Sequence, residues 1–281
     1  MNDVTFNIAG MQLAGLVTNE PSQSPTLALH GWLDNAASFL PLMALLTERP
    51  VVALDLPGHG LSDHRAVGAA YYFVEWVADI VELIEQQGWQ NVHLLGHSMG
   101  GFISQLVASV IPERIQCVTL IEAFGLLTFE ADQTRIKLAV ALAERRALAA
   151  KKAPVYREKE RLIRLRAETS VLTAEQVAPI VERNLYAVEG GWSWRVDPRV
   201  RLGSPFRYTL EQADDLMAGI QCPVQLIRGQ TGFKDLDKAL LRWSTEVKKL
   251  QVNTLTGGHH VHLECPTDVA MEINAFLQQQ S

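Results

Sequence analysis

An α/β protein with a mostly parallel central sheet covered by helices is the fold class that this sequence predicts. Three observations predict it. Eight short β-like runs recur along the chain, amphipathic helical stretches separate the later ones, and the chemistry-bearing residues fall immediately after strands, where ligands bind in such sheets. At 281 residues, 48% hydrophobic and 20% charged, the chain can bury a sizeable core, so one large domain with an insertion is expected.

The strands are read in order as "VTFNI", "LAGLV", "TLALH", "VVALDL", "VHLLG" and "CVTLIE", then, after a long gap, "VQLIRG" and "VNTLT". Apolar residues at helical spacing mark "YYFVEWVADIVELIEQQG", "GFISQLVASVI", "DLDKALLRWSTEVKKL" and the closing "TDVAMEINAFLQQQ" as helices. The gap from about Gly125 to Ile220 holds no convincing strand and reads as a helical lid inserted after the sixth long strand. The expected division is a core of residues 1–124 and 220–281, with a cap of residues 125–219. Charge supports the break: residues 131–210 carry 16 Lys and Arg against 9 Asp and Glu, while the remainder carries 9 against 22. The basic residues of the insertion alternate with alanine and leucine in "LAVALAERRALAAKK" and "YREKERLIRLRAE". That pattern describes solvated helix faces rather than a nucleic-acid surface.

The N-terminus "MNDVTFNIAG" lacks a basic stretch leading into an apolar segment, and no apolar run approaches the length of a membrane span. A cytoplasmic protein with no membrane or nucleic-acid partner is therefore expected. Cys117, Cys222 and Cys265 show no metal-ligand or redox spacing and are read as reduced, buried small hydrophobes.

In "VHLLGHSMGGF" a serine is flanked by small residues between a strand and a helix. A tight strand-to-helix turn strains the backbone of Ser98 and lifts its hydroxyl into the open, with Gly96 and Gly100 leaving room. The same turn sets the hydroxyl at a helix N-terminus, which favours negative charge. A serine nucleophile needs two preorganised N–H donors for the oxyanion it creates. The backbone N–H groups of Met99, just after the serine, and of Trp32, in "LALHGWLDN", are the candidates. His30 is read as a structural histidine that ties loops together.

The proton shuttle must be an imidazole whose second nitrogen is held by a carboxylate. "TLTGGHHVHLECP" supplies His259, His260 and His262 after the last strand; His59, His64, His93 and His97 are read as packing or hydrogen-bonding residues. Among the acids, Asp235 and Asp237 match the N-cap and first turn of "LDKALLRWSTEV". Asp55, closing "VVALD", is read as a loop-holding residue. Glu122 closes the apolar run "CVTLIE", and a carboxylate there is costly without a partner, whether a histidine, loop N–H groups or an arginine of the insertion.

The stretches "LHGWLDNAASF", "ALDLPGHGLSD", "LLGHSMGG" and "GGHHVHLECP" resemble the α/β-hydrolase superfamily in order and separation, across nearly the whole chain. "HGWLDN" and "WSWRVDPR" resemble the subgroup of serine hydrolase-like proteins. In that superfamily the base directly follows a small residue after its strand, commonly with an acid five positions on. The resemblance therefore implies His259, five before Glu264, and leaves His260 and His262 to the loop. Most members place the triad acid in a Gly-x-x-Asp pattern after the strand that follows the lid. This chain reads "GQTG", with Gly232 where the aspartate is usual. Relatives such as certain haloalkane dehalogenases carry the acid one strand earlier, which implies Glu122.

The expectation is a serine hydrolase acting on a small-molecule ester, less readily a thioester or amide, through Ser98, His259 and Glu122, with no metal or organic cofactor. Trp32, Leu33, Phe124, Trp192 and Trp194, with Phe129, are expected to line a bounded apolar pocket. The alternative is a catalytically idle member of the superfamily that binds a small molecule.

Overall fold

The computed structural model describes residues 1–20, 22–149 and 153–280. The chain begins with β1 (Asn2–Ile8), β2 (Met11–Val17), β3 (Thr26–Leu29), a short helix α1 (Leu40–Met43) and β4 (Val51–Leu54). Strands and helices then alternate through α2 (Phe73–Gln86), β5 (Val92–His97), α3 (Met99–Val110) and β6 (Ile115–Ile121). The insertion holds α4 (Thr134–Ala149), α5 (Lys159–Ser170), α6 (Ala174–Arg183), β7 (Leu185–Val188), β8 (Gly191–Trp194) and α7 (Leu210–Ala218). The chain closes with β9 (Val224–Gly229), α8 (Leu236–Trp243), β10 (Leu250–Leu255), α9 (Val261–Glu264) and α10 (Pro266–Gln278).

Eight strands form one sheet in the order β1-β2-β4-β3-β5-β6-β9-β10. Only β1 with β2 and β2 with β4 pair antiparallel; the other pairs are parallel. Every residue of β3 and β4 is buried, as strands covered on both faces require. Alternate side chains feed two cores. Leu27, Leu29, Leu94 and Leu226 pack on the side of α2 and α3. Ala28, Leu95, Ile121 and Ile227 meet Phe39, Ile273 and Phe276 of α10's side.

Helix α2 forms because Trp76, Val77, Ile80, Leu83 and Ile84 recur at helical spacing and are all buried. It stops where Gly88, at φ +65°, takes the left-handed conformation. The register then places the active edge. Leu29 pairs with Gly96, Gly96 with Leu120, and Ile121 with Ile227, while Leu255 pairs with Gly229. The carboxyl ends of β3, β5, β6, β9 and β10 thus finish side by side, and the loops that follow them share one rim.

The insertion differs from the all-helical expectation, because β7 and β8 form an antiparallel hairpin outside the main sheet. Its strands are four residues each, too short to display a period of two, and a Glu189-Gly190 turn joins them with Gly190 at φ +83°. Tertiary packing holds it: Leu185 packs with Leu162 and Val181, and Trp192 exchanges two 2.8 Å backbone hydrogen bonds with Tyr156. The expected helix through "LAVALAERRALAAKK" is α4; Ala150, Lys151 and Lys152 lie outside the described residues. Helices α6 and α7 each start with a capping box, Thr173 with Gln176 and Thr209 with Gln212. No helix among the described residues is long and apolar enough to cross a membrane. Cys117 and Cys222 are buried and Cys265 is partly exposed; none of the three forms a disulfide.

Candidate active site

Ser98 sits between β5 and α3 at φ +48° and ψ −113°, a backbone conformation that a side chain rarely adopts. The neighbouring glycines are required by contact. A Cβ on Gly96 would lie 2.5 Å from the Gly100 carbonyl oxygen, and one on Gly100 would lie 1.9 Å from that of Leu29. The Ser98 N–H donates to Ile121 O at 2.9 Å, fastening the turn to β6. These contacts hold the strain in place.

The Ser98 Oγ lies 3.0 Å from Nε2 of His259, and Nδ1 of the same ring lies 3.3 Å from Oε2 of Glu122. Glu122 follows β6 at φ +55° with its side chain fully buried. Its Oε1 accepts the Gly229 N–H at 2.7 Å and its Oε2 accepts the Phe233 N–H at 2.5 Å. Two of the three partners raised for Glu122 are therefore realised together, loop N–H groups after β9 and a histidine, and no bond to an arginine of the insertion is seen among the described residues. Sharing Oε2 with the Phe233 N–H accounts for the longer reach to His259. Neither Asp235 nor Asp237 approaches that ring. Asp235 occupies the N-cap position of α8 without a side-chain cap bond and pairs with Lys238 at 2.8 Å, while Asp237 pairs with Arg228 at 2.6 Å. The capping role expected of Asp235 is thus corrected: its backbone is already helical, at φ −76° and ψ −6°, rather than extended as a side-chain cap requires.

The other histidines hold structure. His30 accepts the Leu56 N–H at 3.0 Å through Nε2, so its Nδ1–H donates to Gly31 O at 2.7 Å. His97 bonds the His259 carbonyl oxygen at 2.9 Å through Nε2 and packs against His262, with centroids 4.1 Å apart and the rings tilted by 45°. Burial, then the neighbouring histidines, hold both His97 and His262 well below the usual imidazole range, and burial with His259 and Arg166 lowers His260 to about 4. Three of the four clustered rings are accordingly neutral at pH 7. Glu264, five positions after His259, accepts the Gly258 N–H with both oxygens, at 2.9 and 3.0 Å. That bond closes the turn which presents His259. Asp55 holds loops as expected, accepting from Ala36 and Leu61 N–H groups at 2.8 Å each and from Arg183.

Beside Ser98 lies a cavity of about 790 Å³, walled largely by apolar and aromatic side chains. Trp32 and Met99 line it, and the Trp32 indole N–H donates to Val200 O at 2.9 Å. Met99 opens α3, so its N–H has no carbonyl one turn back, and the Trp32 N–H has no acceptor among the described residues. Of the other expected lining residues, Phe124 is buried in the core, Leu33 packs against that core, and Trp192 and Trp194 pack with the hairpin against Leu162 and Val181. None of these four, nor Phe129, lines the cavity. Their places are taken by Tyr72, Phe73, Phe102, Phe206, Tyr208 and Phe233. The "YYF" run was a visible signal, but it reads equally well as the start of an amphipathic helix. The contributions of Phe206 and Tyr208 come from an irregular segment with no periodicity to follow.

A strained serine on a strand-to-helix turn, an imidazole on its hydroxyl, a buried carboxylate behind the imidazole and free N–H groups beside it can together run a nucleophilic acyl transfer. The profile of the α/β-hydrolase fold family matches residues 27–266. The serine hydrolase-like protein of Danio rerio is 30% identical over 96% of this chain and 86% of its own length. Serine hydrolase-like protein 2 of Homo sapiens is 31% identical over 90% of this chain and 87% of its own. A hypothetical protein of Pseudomonas aeruginosa PAO1, solved by crystallography, superposes with a TM-score of 0.90 at 36% identity, covering 99% of this chain and all of that one. By its sheet, its elbow and these likenesses, the chain belongs to the α/β-hydrolase fold family, in the serine hydrolase-like subgroup.

Proposed function

We propose that the protein is a serine hydrolase that cleaves a carboxylic ester of a small or medium apolar substrate through an acyl-enzyme. The observation that carries this reading is the unbroken line from Ser98 Oγ through the His259 ring to the buried carboxylate of Glu122. In the proposed reaction Ser98 Oγ attacks the carbonyl carbon as His259 Nε2 takes its proton. Met99 and Trp32 N–H groups bind the oxyanion, each worth roughly 3 kcal/mol of barrier. The imidazolium, stabilised by Glu122, gives its proton to the departing alkoxide, and the alcohol leaves. Water, deprotonated by the same imidazole, then releases the acid and restores the serine.

A cavity of about 790 Å³ lies within the range of small-molecule sites and supports a bounded acyl or alcohol group over a long lipid chain. The names borne by the relatives support serine-based chemistry. Labelling by a fluorophosphonate tests the reading without knowledge of the natural substrate. The wild type should label and Ser98→Ala should not, with p-nitrophenyl ester hydrolysis lost in parallel and the thermal midpoint retained. A wild type that resists labelling would make the chain a binding protein on a hydrolase scaffold.

A further inference from the structure

The wall of the cavity beside Ser98 carries two charges of one sign. Arg201 and Arg207 line it, and none of its lining residues is an aspartate, glutamate or lysine. Among the described residues neither arginine forms an ion pair, whereas Arg199 pairs with Asp197 and Arg183 with Asp55. Glu144 accepts the Gly203 N–H at 3.2 Å. Arg207 lies over the Phe129 ring, with its guanidinium 4.6 Å from the centroid. Partial burial lowers its pKa from the ordinary arginine value, although the residue as a whole is exposed. Two exposed forked donors without an ion-pair partner, on a largely apolar cavity wall, offer a receptor for an oxyanion.

Resting on the hydrolase reading, the geometry points to a substrate with an apolar body and an anionic end group, a carboxylate or phosphate, placed away from the scissile carbonyl and read by Arg201 and Arg207. Such an acid ester would lay its hydrocarbon along Phe73, Phe102 and Phe206 and its charge against the guanidinium groups. The uncharged ester end would face Ser98. Selectivity then comes from the pairing of charge at the cavity wall rather than from the reacting bond.

Binding to the Ser98→Ala protein tests this apart from turnover. Three probes are titrated by calorimetry: methyl hydrogen suberate, its phosphonate counterpart methyl 7-phosphonoheptanoate, and the uncharged dimethyl suberate. One anionic probe should bind about tenfold more tightly than the neutral diester, the scale of one charge-assisted hydrogen bond. Whichever anion shows the preference names the end group. In Arg201→Gln and Arg207→Gln backgrounds the ratio of anionic to neutral affinity should fall toward one. Equal binding of charged and neutral probes, or a preference that both glutamine variants keep, overturns the proposal. Because no bond is broken, a failure of labelling at Ser98 would leave this result standing, and loss of the anion preference would leave the hydrolase reading standing.

Discussion

A Cβ placed on Gly232 would lie 2.1 Å from Oε1 of Glu122 and 2.3 Å from Oε2. The position that lacks a carboxylate and the position that supplies one therefore occupy the same space from two neighbouring loops. Glu122 arrives from the end of β6, and Gly232 follows β9, the adjacent strand. Either loop can present an acid to His259, but the two cannot both bear a side chain there. The glycine is the steric counterpart of the glutamate.

That exclusion gives the first prediction. Gly232→Ala should push the Glu122 carboxylate off its two N–H donors and lower kcat on a p-nitrophenyl ester, toward the roughly 10⁴-fold scale of losing a triad carboxylate. The exchange Glu122→Gly with Gly232→Asp should recover part of the activity lost by Glu122→Gly alone. Full activity in Gly232→Ala would show that the loop gives way and that the contact does not matter.

Glu122→Gln isolates charge from shape. The amide keeps the acceptor for one backbone N–H but cannot stabilise an imidazolium, so kcat should fall by several orders of magnitude with the fold retained. Asp235→Asn and Asp237→Asn, which lose only exposed pairs with Lys238 and Arg228, should cost less than about 1 kcal/mol of stability and leave kcat intact. A dead Asp235→Asn beside an active Glu122→Gln would reverse the assignment of the acid.

Much of this arrangement could be read from the chain before the fold was known, and the reason is local. Ser98 announces itself because its strained turn forces glycine at 96 and 100, and Glu122 because a carboxylate closing an apolar strand is costly without partners. All eight strands of the sheet were legible for the same kind of reason, as short apolar runs bounded by turn residues. The cavity wall was not. Trp192 and Trp194 looked like pocket aromatics, yet their hairpin turns them onto Leu162 and Val181 of the insertion. Which face an aromatic presents depends on how the insertion folds back, and four-residue strands carry no periodicity to say so. Asp235 failed similarly, since capping depends on a backbone angle that the residue type alone does not set.

His262 offers a stability prediction. Its ring is fully buried, and neither nitrogen has a hydrogen-bond partner among the described residues. A buried polar group left unpaired costs about 1–3 kcal/mol. His262→Leu, similar in size and packed between His97 and Phe39, should therefore hold or raise the thermal midpoint and keep ester turnover measurable. A fall of more than about 2 kcal/mol, within the range that loss of a good core contact produces, would mean that the ring has an unrecognised partner.

The last prediction concerns acid. His93 is fully buried between Thr26 and Thr119, with Oγ1 atoms 3.0 and 2.9 Å from its two nitrogens, and burial lowers its pKa to about 3. His30 and His59 are lowered to about 4 and 3 by the same cause. In the unfolded chain these imidazoles titrate near 6.5. Between that value and the folded one the unfolded state binds more protons, so stability is complete above pH 6.5 and falls as the pH drops toward 3. At pH 5 each such histidine has cost about 2 kcal/mol. Asp79, raised to about 6 by burial, and Asp34, also raised by burial, work in the opposite sense, losing stability as pH rises through their folded values, but they are two groups against several. Denaturant unfolding should thus show stability dropping steeply from pH 7 to pH 5. His93→Gln, which keeps a hydrogen-bonding side chain between the two threonines but cannot be protonated, should flatten that limb by about 1.4 kcal/mol per pH unit. An unchanged slope in the variant would place the acid sensitivity elsewhere and show that His93 takes no part in it.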